Sequence, residues 1–361
     1  MSFDIVSVAY PLAPVHDDCV GGAEQVLFHL DRALVAAGHR STVIAMTGAH
    51  VAGNLICVPR HSDLYDSACL HEAEHETRRV LDLLVSACAP DLVHIHAVDF
   101  PALLPAADVP VLVTLHMPRS YYHDSDLHLR RPGLCMNCVS RAQHETFGDV
   151  PGLVPPIENC VEPTVERPFS GRRRFALWLG RICPEKGTHL AIDACARAQV
   201  PLIVAGKAFP YPEHLRYFRE QVASRMVGET RFVGSVSGVW KQRLLHEARC
   251  VVVTTTVPET SSLVAREALA AGAPVVALKS PALQELIEEG RTGFLVDTPA
   301  ELPAAISASA DLDGQHCLDA ARSRYAHDRM IRDYFALYER LAAHGKGRSP
   351  TLADSHEPVP G

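Results

Sequence analysis

Residues 257–277 read VPETSSLVAREALAAGAPVVA, and this stretch decides the fold. A β-branched run at residues 249–256 precedes its loop, while residues 263–271 have the composition of a helix, with no internal Gly or Pro. The stretch therefore predicts a strand, a loop and a helix. Glu259 falls in the loop at the carboxyl end of the strand, and Glu267 falls about one turn into the helix.

The loop between these two carboxylates predicts an anion site. The backbone amides of Ser261, Ser262 and Leu263 are free donors at the helix start, and such donors suit a phosphate. Thr260 and the two serines add hydroxyl groups at the same place. One carboxylate on each side of a phosphate cradle suits a ligand with hydroxyls at both ends of a diphosphate. A sugar nucleotide is such a ligand.

The same alternation of strand and helix extends in both directions along the chain. In the first half, short apolar runs predict strands at residues 3–9, 41–45, 92–95 and 109–115, and helical spacing predicts helices from residue 23 and over about 70–88. In the second half, strands are predicted at 175–179 and 201–205, with a helix at 187–198 between them. This alternation is typical of an α/β protein with mostly parallel sheets and helices on both faces.

A polar connector rich in proline and arginine, residues 155–174, divides the chain. We therefore predict a first domain at residues 1–165 and a second at 166–329. Residues 330–344 contain an apolar-periodic stretch that predicts a final helix, and the Gly-, Ser- and Pro-containing tail at 345–361 is expected to be disordered.

Composition excludes several classes of protein. With 361 residues, 47% of them hydrophobic and 21% charged, the chain has ordinary globular composition. The net charge of −8 argues against a nucleic-acid partner and against tight binding to anionic lipid. No apolar run approaches the roughly 20 residues that span a bilayer, and no signal peptide is expected. Most of the 11 cysteines stand singly in apolar segments, which favours a reducing cytoplasm.

Four motifs resemble those of a known family. Glu259, seven residues, Glu267 and then ALAAGAPVVA resemble the donor-site signature of family 4 glycosyltransferases, retaining enzymes of the GT-B fold. Gly21-Gly22-Ala23-Glu24, GRICPEKG at 180–187 and GRTGFLV at 290–296 agree in the family's order. The resemblance covers nearly the whole chain. It implies two Rossmann-like, doubly wound domains facing across a cleft, with the nucleotide-sugar donor bound by the second and the final helix crossing back onto the first.

The resemblance also assigns roles to individual residues. It implies that Arg181 and Lys186 reach the diphosphate and that Glu267 binds the ribose hydroxyls. It implies that Glu259 binds hydroxyls of the donor sugar, and that His116 contacts this sugar near its reacting carbon. Lys186, Arg181, His116 and Glu259 are therefore the candidate catalytic residues.

Backbone contacts to the donor are expected at two further places. Gly21 and Gly22 open the first helix, where a chain without side chains approaches phosphate or sugar closely. Val233, in the segment 231–234, resembles the position that meets the base through its backbone. One departure stands out, because many relatives have glycines where this chain has Thr260-Ser261-Ser262. The loop is less permissive for this reason, and the identity of the sugar stays open.

The predicted function is transfer of a sugar with retention, from a nucleoside-diphosphate sugar, preferably a UDP-sugar, to a soluble hydroxyl acceptor. The expected acceptor is an oligosaccharide or a glycosylated natural product, and the resemblance implies that neither metal nor cofactor is required. Alternatives are assembly of a cell-surface polysaccharide or glycolipid, a sugar-nucleotide epimerase, and a non-catalytic nucleotide-sugar-binding module. An NAD-dependent oxidoreductase is disfavoured because no Gly-x-Gly-x-x-Gly follows the first strand.

Cys135 and Cys138 stand outside this interpretation. Their spacing fits half a zinc site, and the other ligands would come from His123, His128, His144 and Cys160. Reduced or loop-stapling cysteines, structural zinc and a redox role all stay open. Residues 124–126 read Asp-Ser-Asp and are interpreted as a polar loop, not as a metal site. His94 and His96 share one strand face and are interpreted as packing or acceptor-side residues.

Overall fold

The computed structural model describes residues 2–60, 62–162, 165–324 and 327–345, with side chains up to residue 343. Each half of the chain forms a parallel six-stranded sheet flanked by helices, which confirms the predicted α/β class. The elements of the first half are β1 (Asp4–Val8), α1 (Gly22–Ala36), β2 (Arg40–Met46), β3 (Asn54–Val58), α2 (Ser67–Cys88), β4 (Leu92–Ile95), β5 (Val111–Leu115), α3 (Asp124–Leu127), β6 (Leu134–Cys138) and α4 (Arg141–Glu145).

The second half repeats the pattern and ends with a helix. Its elements are β7 (Ala176–Arg181), α5 (Thr188–Ala198), β8 (Leu202–Lys207), α6 (Pro212–Tyr217), β9 (Thr230–Gly234), α7 (Gly238–Glu247), β10 (Cys250–Val253), α8 (Leu263–Ala270), β11 (Val275–Leu278), α9 (Pro281–Leu286), β12 (Gly293–Val296), α10 (Leu302–Ala308), α11 (Gly314–Arg324) and α12 (His327–Gly345). The predicted boundary at 165/166 falls between β6 and β7. The predicted tail lies outside the described residues, apart from Gly345 at the end of α12.

In both sheets the order of the strands reverses next to the strand that comes first in the sequence. The first has the order β3-β2-β1-β4-β5-β6 and the second β12-β11-β10-β7-β8-β9, and all pairings are parallel. The strand order therefore reverses between β1 and β4 and again between β7 and β10. In such sheets the crevice outside the carboxyl ends of the strands at this reversal is the usual ligand site. The fold thus offers two such crevices, one on each half.

Helix α12 packs on the first sheet, together with α1. Tyr334 and Tyr338 are fully buried there, in a core that includes Ile5 of β1 and Leu92 of β4. The opposite face of this sheet packs against α2 through Leu81. The helix begins three residues before the predicted start at residue 330. Within the described residues, no helix combines the length and the apolar character needed to cross a membrane.

Strand β6 corrects the interpretation of the cysteine pair. Cys135 packs on the sheet face that α12 covers, whereas Cys138 is fully buried in the core on the opposite face. Two thiols on opposite faces of one strand cannot bind the same ion, so a zinc site built on Cys135 and Cys138 is wrong. All 11 cysteines are unpaired. The Asp-Ser-Asp segment is also not a loop, because it forms the single turn of α3.

Candidate functional site

A cavity of about 500 Å³ lies between the two halves, at the carboxyl ends of both sheets. Tyr10 after β1 and His96 after β4 line it from the first half, and Thr255 after β10 lines it from the second. Every predicted catalytic or donor-binding residue except Val233 and Glu267 belongs to its wall, namely Gly21, Gly22, His116, Arg181, Lys186, Glu259, Thr260, Ser261, Ser262 and Leu263. The fold therefore brings residues from distant parts of the sequence to one place.

Lys186 and Glu259 form an ion pair in the cavity wall. Lys186 Nζ donates to Glu259 Oε1 at 2.6 Å, and the Thr255 hydroxyl donates to the same oxygen. Burial by itself would raise the pKa of the Glu259 carboxyl, but Lys186, Thr255 and Arg181 hold this pKa below its ordinary value. Glu259 is therefore a buried, ionised carboxylate at neutral pH.

Arg181 supplies a second cation. It ends β7, lines the cavity and is about half buried. Within the described part of the chain its guanidinium forms no hydrogen bond and no ion pair. A guanidinium keeps its charge and presents several donors in one plane, which matches phosphate oxygens. Arg181 is thus a cation available to a ligand, whereas Lys186 already has a protein partner.

Glu24, the last residue of the Gly21-Gly22-Ala23-Glu24 motif, is a functional candidate for which the sequence predicted no role. Its side chain is buried in the cavity wall, and its carboxyl folds over Gly21, where a Cβ atom would stand 1.8 Å from Glu24 Oε2. Glycine at position 21 therefore makes room for this carboxyl. Burial raises the pKa of Glu24, and the nearby Arg181 opposes this effect.

The loop before α8 connects the two halves. Thr260 Oγ1 donates to the His116 carbonyl at 3.0 Å, and Asn159 Nδ2 donates to Ser261 Oγ at 2.8 Å. These hydroxyls were expected to serve a phosphate or a sugar, but in the structure they tie the loop to the first half. Ser262 adopts a left-handed conformation, with φ at 50°, which glycine adopts more readily than serine.

The backbone amides at the start of α8 stay available. Ser261, Ser262 and Leu263 donate no backbone hydrogen bond among the residues that the structure describes. Helix α8 has no side-chain cap at its start. Unpaired amides and the positive end of the helix dipole both favour an anion at this position. The amides are therefore free where the anion site is predicted, between Glu259 and Glu267 in the sequence.

Glu267 lies in a smaller pocket of about 50 Å³ that shares wall residues with the main cavity. Lys241 Nζ donates to Glu267 Oε1 at 2.6 Å, while Oε2 is buried and has no hydrogen-bond partner in the part of the chain that the structure describes. An oxygen without a partner in a buried place is suited to accept from a hydroxyl. Lys241 was not predicted, because α7 brings it there from 26 positions away in the sequence.

Val233 is the predicted residue that the structure does not bring to the site. It lies on the edge strand β9, is 38% exposed and belongs to neither pocket. Ser235, Val236 and Ser237, which follow it, line the smaller pocket instead. The segment thus reaches the site just after the strand ends.

His116 lines the cavity next to a second histidine. Its Nε2 lies 3.0 Å from Nδ1 of His96, and the two rings stack with centroids 5.2 Å apart. Burial lowers the pKa of His116 to about 3 and also lowers that of His96, so both rings are neutral at pH 7. His116 is therefore a neutral hydrogen-bonding group and not a cation.

One group of side chains at the cavity could hold a metal ion. Donor atoms of Cys183, Glu185 and His214 lie within 4.8 Å of one another, and Nδ1 of His214 is buried with no hydrogen-bond partner among the described residues. Burial, however, raises the pKa of the Cys183 thiol to about 12. The thiol must lose its proton before it can bind a metal ion, and at neutral pH this carries a free-energy cost.

Comparisons with known proteins agree with this geometry. The family model described as Glycosyltransferase Family 4 matches residues 20–144, and the one described as Glycosyl transferases group 1 matches residues 165–312. Together they cover most of the chain, one on each half. The chain belongs to this glycosyltransferase family. In the glycosyltransferase, each of the two family models thus matches one of the two halves that enclose the cavity.

Two curated relatives match the glycosyltransferase along most of its length. Glycogen synthase of Mycobacterium tuberculosis is 25% identical over an alignment 386 positions long, which spans 91% of both chains. Phosphatidyl-myo-inositol mannosyltransferase of the same species is 24% identical over 360 residues, spanning 90% of this chain and 92% of the relative. Both are named for the substrate or product of their own reactions.

The fold is shared with solved structures. Anabaena HepE, solved in complex with UDP-glucose, superposes with a TM-score of 0.71 at 18% identity, over 94% of this chain and 100% of that chain. At this identity the likeness establishes the architecture only. The two parallel sheets and this likeness together show the GT-B fold, as predicted.

Proposed function

We propose that this glycosyltransferase moves a sugar from a UDP-sugar to a hydroxyl group of an acceptor, with retention at the reacting carbon. One observation carries the proposal: a cavity at the strand reversals of both sheets is lined by the available cation Arg181 and by the open start of α8. The UDP preference is supported by the fold shared with HepE, which was solved with UDP-glucose.

The predicted residues would each bind one part of the donor. We place the diphosphate against Arg181, Lys186 and the free amides at the start of α8, which together offset its negative charge. The unpartnered Oε2 of Glu267 would accept from a ribose hydroxyl. Lys186 and Thr255 both donate to Oε1 of Glu259. Its Oε2 would therefore accept from hydroxyls of the transferred sugar.

The transfer then requires that donor and acceptor are correctly positioned, and it does not require a base from the protein. The bond from the sugar carbon to the diphosphate oxygen breaks, and the bond to the acceptor oxygen forms on the same face. The departing phosphate oxygen takes the acceptor's proton. The charge that develops on the diphosphate is stabilised by Arg181 and by Lys186, and Glu259 holds Lys186 in place before the reaction. Side chains would thereby do the work that a divalent cation does in other transferases.

For the acceptor, we propose a soluble carbohydrate or glycosylated compound. The net charge of −8 disfavours binding to an anionic lipid surface. A glycolipid acceptor is the second candidate, since the similar mannosyltransferase is named for phosphatidyl-myo-inositol. We also propose a cytoplasmic location, which the 11 unpaired cysteines support.

Incubation with UDP-, GDP- and dTDP-sugars tests the proposal. Release of nucleoside diphosphate should depend on a carbohydrate acceptor and should persist in excess EDTA. A changed sugar nucleotide without any acceptor would instead indicate an epimerase. Binding without turnover would indicate a non-catalytic module, and loss of turnover on chelation, restored by a divalent ion, would refute the metal-independent part.

A further inference from the structure

Three histidines form a column from α12 to the cavity. His94 in β4 contacts α12, and its ring centroid lies 4.0 Å from that of His96. His96 in turn stacks on His116, with an angle of 25° between the ring planes. His94 and His96 are 0% and 3% exposed. The two buried rings have the same residue type and neighbouring positions, but their hydrogen bonds differ.

His94 has a fixed tautomer and a complete set of partners. The Thr114 hydroxyl donates to Asn137 Oδ1 at 2.8 Å, so Thr114 Oγ1 must accept from Nε2 of His94 at 2.7 Å. The hydrogen of His94 is therefore on Nε2. Its Nδ1 then accepts from the Tyr338 hydroxyl at 2.8 Å. This ring is a satisfied member of the core and connects β4 to α12.

His96 has only one partner. Its Nδ1 lies 3.0 Å from Nε2 of His116, while its own Nε2 is buried without any hydrogen-bond partner in the described part of the chain. If His116 donated the shared hydrogen, His96 would carry a buried N–H with no acceptor, which costs about 1–3 kcal/mol. Buried N–H groups without partners are rarer than unused acceptors. His96 therefore donates from Nδ1 and leaves an unused lone pair on Nε2.

We propose that His96 is a positioning residue that holds His116 in the tautomer with its hydrogen on Nδ1. His116 Nε2 accepts from His96, so the remaining hydrogen of the neutral His116 ring is on Nδ1. This Nδ1 forms no hydrogen bond among the described residues, and His116 lines the cavity. His116 then offers an N–H donor to an oxygen of a bound sugar. That last step rests on the proposed function, whereas the tautomer does not.

Nitrogen NMR of protein labelled with ¹⁵N-histidine tests the tautomer without any substrate. We expect the His116 signals to show a protonated Nδ1 and an unprotonated Nε2, and His96 to show a protonated Nδ1. A protonated Nε2 on His116 would overturn the proposal. His94→Asn is the matched control, because it removes the neighbouring buried ring and should leave the His116 pattern unchanged.

Two substitutions of His96 then separate positioning from packing. His96→Asn places an amide where Nδ1 stood and can still donate, so kcat should fall by no more than about threefold. His96→Asp can only accept when ionised, which reverses the His116 tautomer, so kcat should fall about tenfold or more. The Kd for UDP should stay unchanged in both variants. Equal activity of the two variants would contradict the inference.

The two proposals fail separately. Wild-type protein that releases no nucleoside diphosphate refutes the proposed function, and the NMR pattern still decides the tautomer. Conversely, an active wild type with His96→Asp and His96→Asn indistinguishable from it refutes only the role of His96.

Discussion

At the scale of single residues, the two cations of the cavity differ in their partners. Lys186 is held by Glu259, whose side chain is only 8% exposed, whereas Arg181 has no partner among the described residues. A buried carboxylate that loses its cation is left with an uncompensated charge. Removing Lys186 therefore has two consequences, because it takes a cation from the diphosphate and it also disturbs Glu259.

We predict that Lys186→Ala lowers turnover by about 10²-fold or more, because a preorganised charge opposite the leaving group is lost. Steady-state rates with the best donor and acceptor provide the measurement. Lys279→Ala is the matched control, since Lys279 makes a 2.8 Å ion pair with Asp297 on the surface, away from the cavity. Near-wild-type activity of Lys186→Ala would remove this residue from the site.

Some of these residues could be predicted and others could not, for a physical reason. Arg181 ends a strand, and Lys186 and Glu259 lie in loops that join a strand to the next helix, so local sequence motifs identify them. Lys241 has no local signal, because it reaches Glu267 only when α7 packs beside α8. The left-handed conformation of Ser262 was likewise not predictable from the sequence, since serine rarely adopts a positive φ.

At the scale of elements, helices and strands with a strong sequence pattern were predicted, whereas those with a weak pattern were not. Helix α12 was predicted from its apolar spacing, but the hydrogen bond from Tyr338 to His94 depends on how the helix docks. Strand β6 reads LCMNC, which contains no β-branched residue, and its cysteine spacing was interpreted as reduced cysteines, structural zinc or a redox site and not as a strand. The pairing with β5 forms this strand, and pairing is a tertiary property.

The buried histidines beside α12 predict a loss of stability in acid. Burial lowers the pKa values of His94 and His96 well below the ordinary value of about 6.5, which applies to the unfolded chain. Above pH 6.5 both states are neutral. As pH falls below it, only the unfolded state gains protons, so the free energy of unfolding drops by up to about 1.4 kcal/mol per pH unit for each histidine.

Urea unfolding between pH 7.5 and pH 5 measures this dependence. The His94→Asn, His96→Asn double variant should be less stable at pH 7.5 but should lose stability less steeply as the pH decreases. The same slope in both proteins would show that other groups cause the acid sensitivity.

At the scale of the whole molecule, the site exists because two repeated units meet. Tyr10 and Tyr211 share a hydrogen bond of 3.0 Å between their hydroxyls, and the Tyr65 amide donates to the Pro210 carbonyl at 2.8 Å. With the loop at Thr260, these contacts join the halves around the cavity. The repeated strand-helix pattern predicted two units, and the family resemblance implied the cleft between them. The contacts that join the halves were not predictable, because each joins residues more than a hundred positions apart.

The central claim is that a sugar-bearing diphosphate binds in this cavity through side-chain cations and helix amides. Calorimetric titration of UDP and UDP-glucose in the presence of EDTA tests it most directly. We predict saturable binding to a single site, weakened about tenfold or more by Lys186→Ala and unchanged by Lys279→Ala. Absence of binding by UDP, GDP and dTDP nucleotides, or equal affinity in the wild type and Lys186→Ala, would contradict it.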